Sequence, residues 1–408
     1  MSFHPNEHEI IPAEAKAAPG ADPEKSTVRR GSRLREVIVD EIRRHGPMPF
    51  SRCMELCLYH PEFGYYSRAT EQFGKAGDFY TSSDVHAVFG RLLARQFEEM
   101  WRVLDSPDRI DLVELGPGRG LFARDVLDWS AKQFPEFAAT LRYLTVEQSP
   151  NLRTRLQERL SDHLADAAAA IFETLESAAT AAGNHLIVFA NEFFDALPVE
   201  IVDHRGSVRV VENDGRFVEQ FVPPSVIEIE YLDRYSIHPE PGERVEVSLA
   251  SLAWMERIAA AFNSRRGFVV LIDYGYTREE QLAGRHRDTL MTYRRHQAAT
   301  HSPYEAPGDQ DITAHVNFTA LRSSGSDHGL EPIALLTQSQ FLIGIGEETQ
   351  FADAFQECKF PQERAKVALQ LKHLISPEGM GETFQVLLMS CDVSKEKAAR
   401  LGGLKLTH

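Results

Sequence analysis

The chain has 408 residues, 43% hydrophobic and 25% charged, which is enough apolar material for a sizeable core and excludes disorder along its whole length. Lys and Arg number 44 against 60 Asp and Glu, a net charge of −16, which disfavours a nucleic-acid partner and suits a cationic substrate or simple solubility. Four cysteines exclude a disulfide scaffold, and no apolar run approaches the ~20 residues of a membrane helix.

Residues 1–27 read as a flexible acidic tail with neither an export core nor a transit-peptide composition, so a cytoplasmic protein without membrane insertion is expected. Residues 28–104 read as an N-terminal helical segment. Val37, Ile38 and Ile42, then Met54 and Leu58, recur at helical spacing on either side of Gly46-Pro47. A Gly- and aromatic-rich loop from Pro61 to Ser83 leads into an amphipathic helix over about Val85–Leu104.

Residues 105–280 carry the main alternation. Ile110–Leu115 predicts a buried strand, Gly116–Gly120 a tight turn and Leu121–Gln133 a helix. Leu141–Val146 predicts a second strand ending at Glu147, followed by a helix over about Pro150–Leu160. A short strand is expected near Ile171, and His185–Ala190 reads as another buried strand. An antiparallel insertion is expected at about 199–248, with a hairpin turn at Asn213-Asp214-Gly215. Leu249–Phe262 is helical in pattern, and Gly267–Ile272 is a strand ending at Asp273. Residues 281–408 read as loop-rich up to His315, then as helices with strands near Pro332–Leu336 and Phe384–Met389 that complete the sheet and the substrate side. Continuous apolar strands alternating with helices predict an α/β fold, a parallel sheet covered on both faces.

Ligands of such sheets bind beyond the carboxyl ends of the strands. Those ends carry Glu114 with Gly116, Gly118 and Gly120, then Glu147 and Gln148, then Asn191 and Glu192, then Asp273. The G-x-G-x-G spacing is tighter than the dinucleotide G-x-G-x-x-G and suits a cofactor without pyrophosphate, such as S-adenosyl-L-methionine; a plain strand-to-helix turn is the alternative. Glu147 lies 27 residues beyond Gly120, where an acid can accept both ribose hydroxyl protons. The cofactor-binding candidates are Glu114, Gly116, Gly118, Gly120, Glu147, Gln148 and Asn191. In Asn191-Glu192-Phe193-Phe194-Asp195, two acids lie three apart beside two aromatics. The acids could hold a cation and the rings could pack on a guanidinium; an irregular loop with core aromatics and solvated acids is the alternative. No zinc-type His or Cys spacing occurs, so no metal is expected.

GYYSR (64–68), GDFYTSSDV (77–85), VELGPGRG (113–120), VEQSP (146–150), NEFFDALPV (191–199), IDYGY (272–276) and DITAHVNF (311–318) occur together in this order. In these motifs the chain resembles the MidA-like class I S-adenosylmethionine-dependent methyltransferases, a family that includes a mitochondrial arginine methyltransferase of respiratory complex I assembly. The resemblance implies a Rossmann-like seven-stranded class I methyltransferase sheet with an N-terminal helical segment and substrate-side insertions. It implies cofactor contacts at Gly116, Gly118 and Glu147, with Gly77, Asp78 and Thr81 of the preceding loop over the same pocket. It also implies a protein partner with an accessible arginine, in a complex I subunit or its bacterial counterpart, held by Glu192 and Asp195 as catalytic carboxylates. Methylation of a small molecule or another residue, and a cofactor-binding assembly chaperone without turnover, stand as the other readings.

Overall fold

Residues 23–67, 87–294, 297–299 and 302–407 are described in a computed structural model of the chain. Seven strands form its central sheet: β1 Ile110–Leu115, β2 Leu141–Val146, β3 Ala169–Phe172, β4 His185–Asn191, β5 Arg266–Tyr276, β6 Glu331–Thr337 and β7 Phe384–Cys391. Their order across the sheet is β3-β2-β1-β4-β5-β7-β6, and β7 is antiparallel to both neighbours. A two-residue strand, Val316–Asn317, adds to β5. β1 through β5 are parallel, in a register that pairs Leu115 with both Val146 and Ala190, and Asn191 with Ile272.

These strands form because their apolar runs are buried on both faces, as parallel strands must be. One face meets Leu92, Phe97, Val126 and Phe341, the other Ala178, Met255, Ile258 and Leu321. The chain runs outward from β1 to β2 on one side and outward from β4 to β5 on the other. The carboxyl ends of β1 and β4 therefore flank the crevice at the reversal of strand order, where ligands of open α/β sheets bind.

A second layer sits over this crevice. Met48–Pro49, Glu200–Asp203, Gly206–Asn213, Arg216–Val222 and Arg244–Val247 form a five-stranded antiparallel sheet. Asn213 pairs with Arg216 around Asp214 and Gly215, both in the left-handed region at φ 49° and 75°, which a two-residue hairpin turn requires. The helices Pro23–His45 and Phe50–Tyr59 pack on this sheet, burying Leu34, Ile38, Phe50 and Met54 against Val199, Ile201, Val208 and Val210. Side chains tie the unit to the main sheet: Tyr59 donates to the Ala196 carbonyl at 2.8 Å, and Ser149 Oγ donates to the Tyr66 carbonyl at 3.2 Å.

Three features differ from the sequence reading. The first described helix begins at Pro23, inside the segment expected as a tail through Thr27; proline is compatible with a first helical turn, where its missing N–H has no partner to lose. The stretch read as loop contains a small antiparallel sheet, Met291–Arg294, Gln297–Ala299 and Asp311–Thr313, whose strands are too short to show a period. The insertion also holds a helix, Val226–Tyr235, fixed by a capping box between Ser225 and Glu228.

Candidate active site

A cleft of about 660 Å³ opens at the carboxyl ends of β1, β2 and β4. That volume suits a cofactor-sized ligand. Its floor is built by the glycine turn. Gly116, Gly118 and Gly120 all adopt positive φ, at 62°, 53° and 72°, where a Cβ is strained, and the Gly120 N–H closes the turn on the Pro117 carbonyl at 2.9 Å. The three then diverge. A Cβ on Gly116 would stand 2.8 Å from the Phe193 ring, and one on Gly120 would stand 2.6 Å from Leu156, so both are packing glycines. A Cβ on Gly118 would meet nothing within 4 Å among the described residues, so of the three only this glycine leaves open space beside its backbone in the cleft. Gly120 is accordingly not in the cleft wall, a correction to its reading as a cofactor contact.

Glu114, Glu147 and Gln148 line the same wall. Glu147 is buried, accepts from the Ser149 N–H at 2.8 Å, and has its pKa pushed by burial to about 7. Arg153 donates to the carbonyls of Glu147 and Gln148 at 2.9 and 2.7 Å and so fixes the strand end. Glu114 accepts from the Tyr143 hydroxyl at 2.9 Å, and burial raises it to about 8. Gly77, Asp78 and Thr81 lie outside the described residues.

The opposite wall comes from the segment after β4. Glu192 is held in the left-handed region at φ 51°, strain of the kind that collects at functional sites, and its N–H donates to the Ile272 carbonyl at 3.0 Å. Asn191 Nδ2 donates to Glu192 Oε1 at 3.1 Å. Because a carboxylate only accepts, this bond turns Asn191 Oδ1 the other way, where it is buried without a hydrogen-bond partner among the described residues. Asp195 is 2% exposed, yet it lines the cleft. Its Oδ2 accepts from the Tyr274 hydroxyl at 2.6 Å, while Oδ1 is buried and has no partner among the described residues. Burial raises its pKa to about 6.

Asp273 organises this wall from behind. Its Oδ2 accepts from the N–H groups of Phe193, Phe194 and Asp195 at 3.2, 3.0 and 3.3 Å, and its Oδ1 accepts from the Tyr274 N–H at 3.0 Å. Burial, with Asp195 and Glu192 close by, pushes this carboxyl well above the ordinary range. Phe194 and Leu197 anchor the segment in the core, each worth about 1.5–3 kcal/mol of burial. Of the two phenylalanines, Phe193 lines the cleft and Phe194 does not. Phe194 is core, and Phe193 packs edge-on against Trp254 at 4.9 Å. The aromatic rings bonded into the Asp195 segment are instead those of Tyr59 and Tyr274, and Tyr66 stacks on Tyr59. The sequence motifs contain all three tyrosines or lie beside them, yet nothing local in the chain links them to Asp195.

The residues present fit S-adenosyl-L-methionine: an open glycine backbone at Gly118, a buried acid at Glu147 with acceptor capacity to spare, and acceptors at Asn191 and Asp195 without partners among the described residues. Among the described residues no group of His, Cys, Asp and Glu is arranged to hold a metal ion, and no helix is long and apolar enough to cross a membrane.

Comparison with known proteins agrees with this geometry. A family model described as "Putative S-adenosyl-L-methionine-dependent methyltransferase" matches residues 92–335. The chain is 30% identical over 377 residues to the protein arginine methyltransferase NDUFAF7 homolog, mitochondrial, of Drosophila melanogaster, covering 84% of this chain and 82% of that one. It is 27% identical over 378 residues to the human protein arginine methyltransferase NDUFAF7, mitochondrial, covering 84% and 80%. A Burkholderia thailandensis crystal structure, described as a candidate methyl transferase bound to S-adenosyl-homocysteine, superposes with a TM-score of 0.78 at 27% identity over 96% of this chain and 98% of that one. Both curated relatives are named as mitochondrial, which overturns the cytoplasmic location expected from the sequence.

Proposed function

This chain belongs to the family of S-adenosyl-L-methionine-dependent methyltransferases, and from that premise we propose that it methylates an arginine side chain of a protein substrate. The observation that carries the acceptor is buried Asp195, which lines the cleft with Glu192 and has one carboxylate oxygen without a partner among the described residues. A buried anionic acceptor without a donor is costly unless a cationic or N–H-rich group arrives to satisfy it. The relatives named as protein arginine methyltransferases support the same acceptor.

In this reading Gly116 and Gly118 admit the cofactor and Glu147 accepts from its ribose hydroxyls, with Glu114, Gln148 and Asn191 completing that wall. The bound cofactor supplies an electrophilic sulfonium methyl group. Glu192 and Asp195 hold the guanidinium from one side and draw its positive charge towards themselves, leaving the far nitrogen directed at the methyl group. As the new N–C bond forms, that nitrogen sheds a proton to the solvent of the cleft, because both carboxylates lie on the opposite side of the guanidinium. Tyr274 keeps the carboxylate oriented through its 2.6 Å bond. The sequence resemblance further suggests a respiratory complex I subunit as the partner.

The test is transfer of labelled methyl from S-adenosyl-L-methionine into a whole-cell lysate, with hydrolysis of the labelled protein. Label in methylarginine is expected. Label in lysine or in a small molecule overturns the acceptor, and cofactor binding without transfer leaves the chaperone reading. Mass spectrometry of the labelled band decides whether the partner belongs to complex I.

A further inference from the structure

The acids that hold a cation do not by themselves choose between arginine and lysine, because both bring a single positive charge. What separates the two is shape: a guanidinium is flat, weakly hydrated and stacks on aromatic faces, whereas an ammonium is compact and strongly hydrated. A site selective for arginine needs an accessible aromatic face next to its carboxylate.

The cleft has one. Tyr59 and Tyr66, from the N-terminal helix Phe50–Tyr59 and the turn after it, both line the cleft that Asp195 enters. Their rings stack, 5.4 Å apart and 28° from parallel, and Tyr65 braces Tyr66 edge-on at 5.2 Å. Each hydroxyl is anchored. Tyr59 donates to the carbonyl of Ala196, the residue after Asp195, and Tyr66 donates to Asp311 at 3.2 Å. Asp311 is fully buried. Tyr59 lines the cleft and remains 36% exposed as a residue, although its hydroxyl is committed to the Ala196 carbonyl. Of the phenylalanines in the neighbouring segment, Phe194 is taken up by the core, and Phe193, which lines the cleft, packs edge-on against Trp254. The second, independent mark of a ligand is Asp195 Oδ1, nine-tenths buried and more, and without a partner among the described residues.

We propose that Tyr59, backed by Tyr66, is the face on which the acceptor guanidinium lies while Asp195 holds its edge, and that Asp311 is a positioning residue acting through the Tyr66 hydroxyl. This rests on the arginine reading above and names the residues that make it selective.

The experiment uses the full chain saturated with S-adenosyl-homocysteine and two probes, n-butylguanidinium and n-butylammonium, titrated by ligand-observed NMR. Wild type is expected to bind the guanidinium more tightly. Tyr59→Leu should weaken guanidinium binding about three- to thirtyfold, the range of a cation–π contact, and change ammonium binding less than about twofold. Tyr59→Phe should keep most of the preference, and Tyr66→Phe, which releases the bond to Asp311, should lose part of it. Calorimetry of S-adenosyl-homocysteine binding should give wild-type affinity for each variant; if Tyr59→Leu fails this check, Tyr59→Met carries the same comparison. An unchanged guanidinium-to-ammonium ratio in the Tyr59 variant, or no preference in wild type, overturns the proposal. Failure of the arginine reading shows separately, as labelled product without methylarginine. Methylarginine together with an unchanged ratio would sink the aromatic face alone.

Discussion

Glu147 offers the sharpest quantitative test of the cofactor site. Its carboxyl is buried, accepts from Ser149 N–H, and has a pKa of about 7. In the proposed reading an ionised Glu147 accepts both ribose hydroxyls, so cofactor binding should select that form. The apparent dissociation constant then scales with one plus the ratio of protonated to ionised acid. Between pH 8 and pH 6 that factor rises about tenfold, or about 1.4 kcal/mol. By linkage, binding at pH 6 should release close to one proton, and at pH 8 almost none. Glu147→Gln keeps an oxygen for the Ser149 N–H but removes the charge. Its affinity at pH 8 should fall by about 1.5–3 kcal/mol, and its pH slope should flatten. The assay is calorimetric titration with S-adenosyl-homocysteine at pH 6, 7 and 8, in two buffers of different ionisation enthalpy. The ligand's own titration is common to both proteins, so the difference between them isolates Glu147. Parallel pH profiles would refute the assignment, whatever the absolute affinities.

At saturating cofactor, kcat/KM for the protein substrate should fall about tenfold per pH unit below about pH 6, because only ionised Asp195 attracts a guanidinium; a flat profile from pH 5 to 8 removes it from that role. Asp195→Asn should cost about 100-fold or more in transfer at pH 8 while S-adenosyl-homocysteine binds within about twofold of wild type. Gly118→Ala should lose about 1–2 kcal/mol of stability to its left-handed backbone, and at least tenfold in cofactor affinity. Gly120→Ala should instead lose a further ~1–3 kcal/mol of stability through the Leu156 clash, readable as a lower urea midpoint. Asp273→Asn presents an amide N–H to backbone donors and should lower stability by about 1–3 kcal/mol, together with turnover; unchanged turnover would detach the clamp from the site.

The parts of the fold legible in the sequence are those with long local signals. β1, β2, β4 and β5 are apolar runs of six or more residues, and the polar residues that end them mark the cleft in the sequence itself. The accessory strands of two to four residues carry no period, and their partners lie far away: Met48 pairs with Val210. The glycine turn is legible as a motif, yet its division of labour is not. That a Cβ would be blocked at Gly116 and Gly120 but not at Gly118 depends on where Phe193 and Leu156 stand. Asp273 reads as one more polar strand end, because its four N–H donors come mainly from residues 193–195, about eighty positions earlier. Tyr59 reaches Ala196 across 137 residues, a contact that only the tertiary fold creates. The adjacent Phe193 and Phe194 are therefore the visible aromatics in the sequence, one lining the cleft and the other in the core.

The cleft concentrates acids in a way that folding alone would disfavour. Glu114, Glu147, Asp195 and Asp273 are all buried, all have raised pKa values, and none makes an ion pair among the described residues. Burial disfavours the ionised form of each, and a cation arriving in the cleft would favour it. The cost of this arrangement is measurable at Asp195. Its folded pKa of about 6 lies above the ~3.9 of an unfolded aspartate, so the folded state holds a proton that the unfolded chain has already shed. The stability contributed by that proton is complete below about pH 4 and is lost as pH rises through about 6. Asp195→Asn does not titrate, and its oxygen can still accept from Tyr274. Relative to wild type it should therefore gain about 1.5 kcal/mol of stability on going from pH 5 to pH 8, while transfer stays impaired at both. Urea denaturation at the two pH values measures this directly. If the difference between variant and wild type is the same at pH 5 and pH 8, Asp195 is not held protonated by burial, and its unpartnered oxygen needs a structural explanation rather than a cationic acceptor.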